Sequence, residues 1–329
     1  MKFVNKILFA VCLLAGFAAT AAAETPKEIN FGIIATESTQ NLKQDWAPLL
    51  ADMEKRIGVK VNAFFAPDYA GVIEGMRFNK VQLAWMGNKS AMEAVDRANG
   101  EVFAQVIFSE SGLGYYSLVS VHKDSPYHSI EDILKNSKNI NFGIGDPNST
   151  SGFAVPNYYI FALNNVDPKT AFKTIRNANH ETNIMAVANK QVDAAVHSSD
   201  VLDRIEKRSP DVAAKLRQVW KSPLIASDPI VARKDLDPAL KQKIQAFLVE
   251  YGQKGPDAAR EKEILTKLTY SGFKVSSNDQ LNPVRQLELY KAKVKLESDT
   301  TLSDAEKKAK IGEIDQKLAE LGKKIAAAK

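Results

Sequence analysis

Short runs of β-branched and aromatic residues alternate with amphipathic segments of roughly ten to fifteen residues, and this alternation limits the chain to an α/β architecture. Ile29 to Ile34 (INFGII) reads as a strand, and a loop of small polar residues follows from Ala35 to Gln40. Trp46, Leu49, Leu50, Met53 and Ile57 then recur at helical spacing, which predicts a helix over about Leu42 to Ile57, ended by Gly58. Val59 to Phe65 alternates apolar with polar residues, as a half-buried strand does. The same unit recurs through a helix ending near Asn79, a strand from Val81 to Trp85, a helix from Ser90 to Asn99 and a strand from Val102 to Phe108. A helical crossover between strands favours parallel pairing, so a mostly parallel sheet is expected.

Tyr115 to Val121 reads as a longer strand leading into a second region of the same kind. Its expected elements are a short helix over Ser129 to Leu134, a strand over Asn141 to Gly145, a helix over Gly152 to Leu163 and a strand near Phe172 to Arg176. A helix over Glu181 to Ala188, a strand over Val192 to Val196 and a helix over Ser199 to Lys207 follow. Val219 to Ser222 leads out, and Ile230 to Arg233 resumes the first region. Two α/β lobes result: lobe 1 from 24–119 and 223–295, and lobe 2 from 120–222 inserted in it. Two chain crossings would form a hinge, and ligands of such sheets sit at the carboxyl ends of the strands.

The first residues carry a different message. Lys2 and Lys6 precede an apolar stretch from Ile7 to about Ala19, and Ala21 and Ala23 stand at the −3 and −1 positions before Glu24. That pattern is a secretory signal peptide over 1–23, with an apolar core shorter than the ~20 residues of a membrane span. Cys12, the only cysteine, lies inside it and lacks the Leu-x-Gly context of a lipoprotein signal. The exported chain therefore has no disulfide, no thiol nucleophile and no thiolate ligand, and must rely on a large core. Cleavage removes two lysines from a formal charge of +5, and Lys and Glu are mixed throughout, so no nucleic-acid footprint is present. At the other end, Ser303 and Glu306 form a capping-box pattern, and Ile311, Ile314, Leu318, Leu321 and Ile325 make a coiled-coil-like seam. The tail 296–329 is thus either a helix packed on its own domain or an arm that pairs two chains.

The strongest chemical signal is Gly145-Asp146-Pro147-Asn148-Ser149-Thr150-Ser151-Gly152, between a strand and a helix. Asp146 and Asn148 favour a turn, which leaves Ser149, Thr150 and Ser151 at a helix start. Free backbone N–H groups and three hydroxyls there suit a tetrahedral oxyanion. Equally, Ser149 or Ser151 is simply an N-cap. The loop lacks the lysine of a nucleotide-binding Gly-x-x-x-x-Gly-Lys-Ser/Thr run, and no Gly-x-Gly-x-x-Gly occurs elsewhere. Tyr69 and Tyr115 each lie at a strand or loop end, and Asp200 and Asp228 follow strands or turns, positions that by themselves are ordinary core or cap sites.

The run from Phe31 to Gly100, the segments GDPNSTSGFAVPNYY and WKSPLIASDPIVARKDL, and Asn177-Ala178-Asn179-His180-Glu181-Thr182 closely resemble the phosphonate-binding proteins of bacterial ABC transporters. The resemblance covers nearly the whole chain after the signal. It implies a type II periplasmic binding protein with two α/β lobes, a two-crossing hinge and an extended C-terminal helix. It implies a phosphonate held by Ser149, Thr150, Ser151 and His180, tyrosines Tyr69 and Tyr115 beside it, and Asp200 and Asp228 around a ligand ammonium, as in 2-aminoethylphosphonate. It further implies an inner-membrane permease with its ATPase as partners and no cofactor. Two departures bear on the ligand: Asp200 stands where glutamate is familiar, and Met86 where tyrosine is. Phosphite, methylphosphonate, a phosphate ester or another small anion such as a sulfonate are the alternative ligands. An exported hydrolase is disfavoured, since the chain has no Gly-x-Ser-x-Gly elbow, no His-Glu-x-x-His and no compact Asp/His cluster for two metals.

Overall fold

The computed structural model describes residues 26–327, so the signal expected over 1–23 lies outside the described residues. Among the described residues there are thirteen strands: β1 (Glu28–Ile33), β2 (Lys60–Phe65), β3 (Leu83–Trp85), β4 (Gly100–Phe108), β5 (Gly114–Tyr115), β6 (Ser117–His122), β7 (Asn141–Ile144), β8 (Thr174–Asn177), β9 (Ala194–Ser198), β10 (Leu216–Lys221), β11 (Ile225–Ala226), β12 (Pro229–Arg233) and β13 (Tyr270–Val275). They form a six-stranded sheet ordered β13-β4-β12-β3-β1-β2, a five-stranded sheet ordered β10-β6-β9-β7-β8, and a ribbon of β11 and β5.

The sheets are mixed rather than mostly parallel, and the reason lies in the chain crossings. Strands joined by helices do run parallel, as β1 does with β2 and β3, and β7 with β8 and β9. The strand that enters each sheet from the other one is inserted the opposite way. β12 returns from the second region and sits antiparallel between β3 and β4, while β6 arrives from the first and sits antiparallel between β9 and β10. Omitting the edge strand β13, the two sheets share one order, so the lobes are topological copies. Between them the crossings lie side by side, with Tyr115 paired to Ile225 and Gly114 to Ala226. The strand expected over Tyr115 to Val121 is broken at Tyr116, whose N–H donates to Ser199 Oγ at 3.1 Å and whose carbonyl accepts from Ser199 N at 2.9 Å.

Each lobe has an aromatic centre. In the first, Trp46 from the helix Thr39–Ile57 packs on Phe31 and Trp85, each at 5.3 Å between ring centroids, and edge-on to Tyr270. In the second, Phe142, Phe161 and Phe172 form a closed trio. Losing one such ring costs about 3–5 kcal/mol, so these cores hold the lobes together without disulfides.

The helix expected over Gly152 to Leu163 is not regular. Two widened π turns, Thr150–Ala154 and Asn157–Phe161, are followed by a 3-10 turn, Ala162–Asn164. In a regular helix the Gly152 carbonyl would accept from residue 156, but Pro156 has no N–H. It accepts instead from Gly145 N at 2.8 Å, while the Asn157 side chain takes the Phe153 carbonyl at 2.8 Å. The widened turns thereby tie the helix start back to the loop at Gly145.

At the C-terminal end, helices Asn282–Glu297 and Asp304–Ala327 pack against each other as a hairpin. The capping box is formed: Ser303 N donates to Glu306 Oε2 at 3.0 Å and Glu306 N to Ser303 Oγ at 3.3 Å. Leu318 is buried, and Ile311, Ile314, Leu321 and Ile325 are half-buried. A dimer built on this apolar seam would have to displace the neighbouring helix of the same chain.

Candidate ligand site

One small cavity is lined by residues from both lobes. All eight residues singled out in the sequence, Tyr69, Tyr115, Ser149, Thr150, Ser151, His180, Asp200 and Asp228, lie on its wall, together with Ile34, Thr36, Gly87 and Ser198. Most of them follow the carboxyl end of a parallel strand: Thr36 after β1, Gly87 after β3, Ser149 to Ser151 after β7, His180 after β8, and Ser198 and Asp200 at the end of β9. Helical segments therefore begin at this wall from both sides, at Tyr69, Asn88, Thr150, His180 and Ser199. Their first N–H groups lack helical acceptors and carry partial positive charge.

The loop after β7 is built by its glycines and its aspartate. A Cβ on Gly145 would lie 2.4 Å from Gly152 Cα, so the close approach excludes any side chain. Asp146 Oδ1 accepts from Asn148 N at 2.7 Å, and Oδ2 accepts from Tyr69 N at 3.2 Å across the cleft. Ser149 is the N-cap, accepting from Gly152 N at 2.9 Å, and its Oγ also stands 3.4 Å from His180 Nε2. Capping and cavity lining are thus not alternatives at this residue. Thr150 Oγ1 accepts from Lys89 N at 2.9 Å, which joins the lobes, and the Ser151 carbonyl accepts from Ser117 Oγ at 2.6 Å.

Four buried polar atoms on this wall have no hydrogen-bond partner: Thr36 Oγ1, His180 Nδ1, Ser198 Oγ and Asp228 Oδ1. Buried polar groups are rarely left unpaired, because each costs about 1–3 kcal/mol. Such a cluster around one cavity is a place where a water or a polar ligand would complete the bonding. Thr36 and Ser198 are not singled out by sequence reasoning. Their only signal is a small hydroxyl residue at the end of a parallel strand, which looks like an ordinary helix cap.

Burial pulls the His180 imidazole down to about 4, with Asp200 opposing, so the ring is neutral near pH 7. Burial, and then the neighbouring carboxylates, push the Tyr69 and Tyr115 phenols up, so both keep their protons. His180, Tyr69 and Tyr115 are accordingly neutral. The same wall also carries two acidic residues. Asp228 is 4% exposed, and burial followed by repulsion from Asp200 holds its carboxyl well above the usual range, against hydrogen bonding from Tyr115. Asp200 Oδ2 accepts from Arg204 Nη2 at 3.0 Å, one helical turn along. Met86 does not line the cavity. It is fully buried in the core, with its N–H on the Pro229 carbonyl, so its place is in packing. Among the described residues no cluster of His, Cys, Asp and Glu is arranged to hold a metal.

The sequence profile of the family described as "ABC transporter, phosphonate, periplasmic substrate-binding protein" matches residues 31–281. The chain is 53% identical over 300 residues to the phosphonates-binding periplasmic protein of Escherichia coli (strain K12), covering 91% of this chain and 87% of that one. It is similar to the crystal structure of a binding protein component of an ABC phosphonate transporter from Pseudomonas aeruginosa, with a TM-score of 0.88 and 50% identity over 93% of this chain and 99% of that one. A protein of Prochlorococcus marinus solved in complex with methylphosphonate shares the fold at 23% identity, with a TM-score of 0.70 over 81% of this chain and 100% of that one.

Proposed function

The chain belongs to the family of periplasmic substrate-binding proteins of phosphonate ABC transporters, and from that premise we propose that it captures an aminoalkylphosphonate, 2-aminoethylphosphonate above all. It is a binding component and not an enzyme, and the family implies a membrane permease and its ATPase as the receivers of its cargo. The leader over 1–23 would export it. Residues 120–222 would move as one body against 24–119 and 223–295 about the paired crossings, closing on the ligand.

The observation that carries this reading is the make-up of one small cavity. Its wall carries neutral donors and helix starts together with two aspartates, Asp200 and Asp228. A phosphonate placed against Ser149, Thr150, Ser151 and His180 meets hydroxyl, imidazole and backbone donors, which bind an anion without burying a fixed cation. An ammonium placed against Asp200 and Asp228 removes the repulsion between two buried carboxylates. Tyr69 and Tyr115 would shield the short alkyl link. Phosphite, phosphate or an unsubstituted alkylphosphonate would leave the acidic part unanswered, so they are the weaker alternatives.

Calorimetric titration of the ligand-stripped protein with 2-aminoethylphosphonate, methylphosphonate, phosphite, phosphate and taurine tests this. Selective binding of 2-aminoethylphosphonate supports both parts of the site. Taurine shares the amine and differs at the anion, so equal binding of taurine refutes phosphonate selection. A preference for methylphosphonate or phosphite refutes the role given to the carboxylates.

A further inference from the structure

We infer that Glu37, which does not line the cavity, is a positioning residue that sets the preference for an amine-bearing ligand by sharing Arg204 with Asp200 when the lobes close. This rests on the proposal that Asp200 faces the ligand ammonium.

Arg204 is buried between the lobes with all three nitrogens engaged. Nη2 donates to Asp200 on its own helix, Ser199–Arg208. Nε donates to Glu37 Oε1 at 2.5 Å, and Nη1 donates to Thr269 Oγ1 at 3.1 Å. Those two acceptors belong to the other lobe: Glu37 follows β1 and Thr269 precedes β13. Arg208, one turn further, donates to Glu37 Oε2 at 3.0 Å and to Asp45 Oδ2 at 2.6 Å. Glu181 holds the loop bearing Glu37 in place, accepting from Ser38 N and Asn41 Nδ2. The Glu37 and Arg204 side chains are 1% and 4% exposed, so salt and water screen the pair little.

Closure gathers further carboxylates around the two guanidiniums. The second lobe supplies Arg204 and Arg208 with Asp200, and Asp203 acts on Asp200 from the same helix. Closure adds Glu37 and Asp45 from the first lobe, both bonded to these guanidiniums, and brings Asp228 to act on Asp200. In the separated lobe Arg204 is left to Asp200 without Glu37 to share it. In the closed one Glu37 takes a share of Arg204, and Asp200 regains negative potential toward the cavity. A ligand shifts a conformational equilibrium only through its different affinity for the two states. The ammonium gains that difference through Glu37, and a phosphonate without an amine does not.

The test compares Kd values of wild type and Glu37→Gln for 2-aminoethylphosphonate and methylphosphonate by calorimetry. Glu37→Gln keeps the shape and removes one charge, so the ratio of the two Kd values should fall by roughly tenfold in favour of methylphosphonate. Thr269→Val loosens the same guanidinium without changing charge and should weaken both ligands alike. An unchanged ratio in Glu37→Gln, whether both ligands weaken or neither does, overturns the inference and leaves Glu37 as a clasp between lobes. Should Glu37→Gln not fold, Glu37→Asp withdraws the carboxylate by one methylene and should lower the ratio by about threefold; no change there overturns it equally. Failure of wild type to prefer 2-aminoethylphosphonate would instead refute the functional proposal, before any variant is compared.

Discussion

Asp228→Asn is the substitution whose consequences are most sharply opposed with and without ligand. Asp228 is 4% exposed, its Oδ1 has no partner, and Arg204, the cation that acts on it, is committed to Asp200 and Glu37. Its carboxyl is held above the usual range by burial and then by Asp200. A carboxyl with a raised folded pKa contributes its stability below the unfolded pKa and loses it as pH rises through the folded pKa. Ligand-free wild type should therefore weaken as pH climbs above about 4, and the asparagine variant should not. On the scale of an unpaired buried polar group the gain is about 1–3 kcal/mol at pH 8 and near zero at pH 4. For a chain of this size that raises Tm by roughly 2–6 °C. The same change removes a buried charge from the ammonium. Asparagine keeps an acceptor oxygen, so the loss is about 2–3 kcal/mol, or roughly 30–150-fold in Kd for 2-aminoethylphosphonate. Methylphosphonate should stay within about threefold. Melting curves between pH 4 and pH 8, with calorimetry on both ligands, check the two halves. Equal losses for both ligands, or a stability gain independent of pH, would refute the reasoning.

Ser149→Ala removes both an N-cap and a cavity hydroxyl. It should cost about 1 kcal/mol in urea denaturation and weaken every phosphonate by about tenfold in calorimetry. Gly145→Ala drives a Cβ to 2.4 Å from Gly152 Cα, so the loop must shift. A loss of about 1–3 kcal/mol in stability, with binding of all phosphonates impaired, is expected from urea melts and titrations. His197 is fully buried beside Ser120 Oγ at 2.8 Å, and burial pulls its pKa down to about 4. Such a histidine stabilises above the unfolded value near 6.5 and loses that contribution as pH falls toward 4, a change of about 3 kcal/mol. His197→Gln should flatten the acid side of the stability curve measured by denaturant titration at stepped pH, and an unchanged slope there would refute this.

Most elements were legible because their causes are local. The face of Trp46, Leu49, Leu50, Met53 and Ile57 and the alternation in Val59 to Phe65 can be counted along the chain, and they became a helix and a strand within three residues at each end. The antiparallel insertion of β12 between β3 and β4 has no such trace, because it depends on where the chain returns after more than a hundred residues. The π turns occupy a middle ground. Gly152 and Pro156 stand four apart, so a missing N–H was countable, but its compensation by Gly145 depends on a close approach of two glycines that spacing does not reveal.

The candidate site divides in the same way. The residue pattern alone singled out only Ser149 to Ser151, since a polar turn before a helix is a local feature. His180, Tyr69, Tyr115, Asp200 and Asp228 came from family resemblance, because a lone tyrosine or aspartate at a strand end carries no chemistry in isolation. Thr36, Ser198, Glu37 and Arg204 came from neither. Asp200 and Arg204 stand one turn apart and would pass for a routine surface pair worth about 0.3–0.5 kcal/mol. Their significance comes from burial and from the approach of Glu37, 167 residues away from Arg204 in sequence. A buried guanidinium shared between two carboxylates is set by the docking of one lobe on the other. The part of the candidate site least visible in the sequence is therefore the part formed between the lobes.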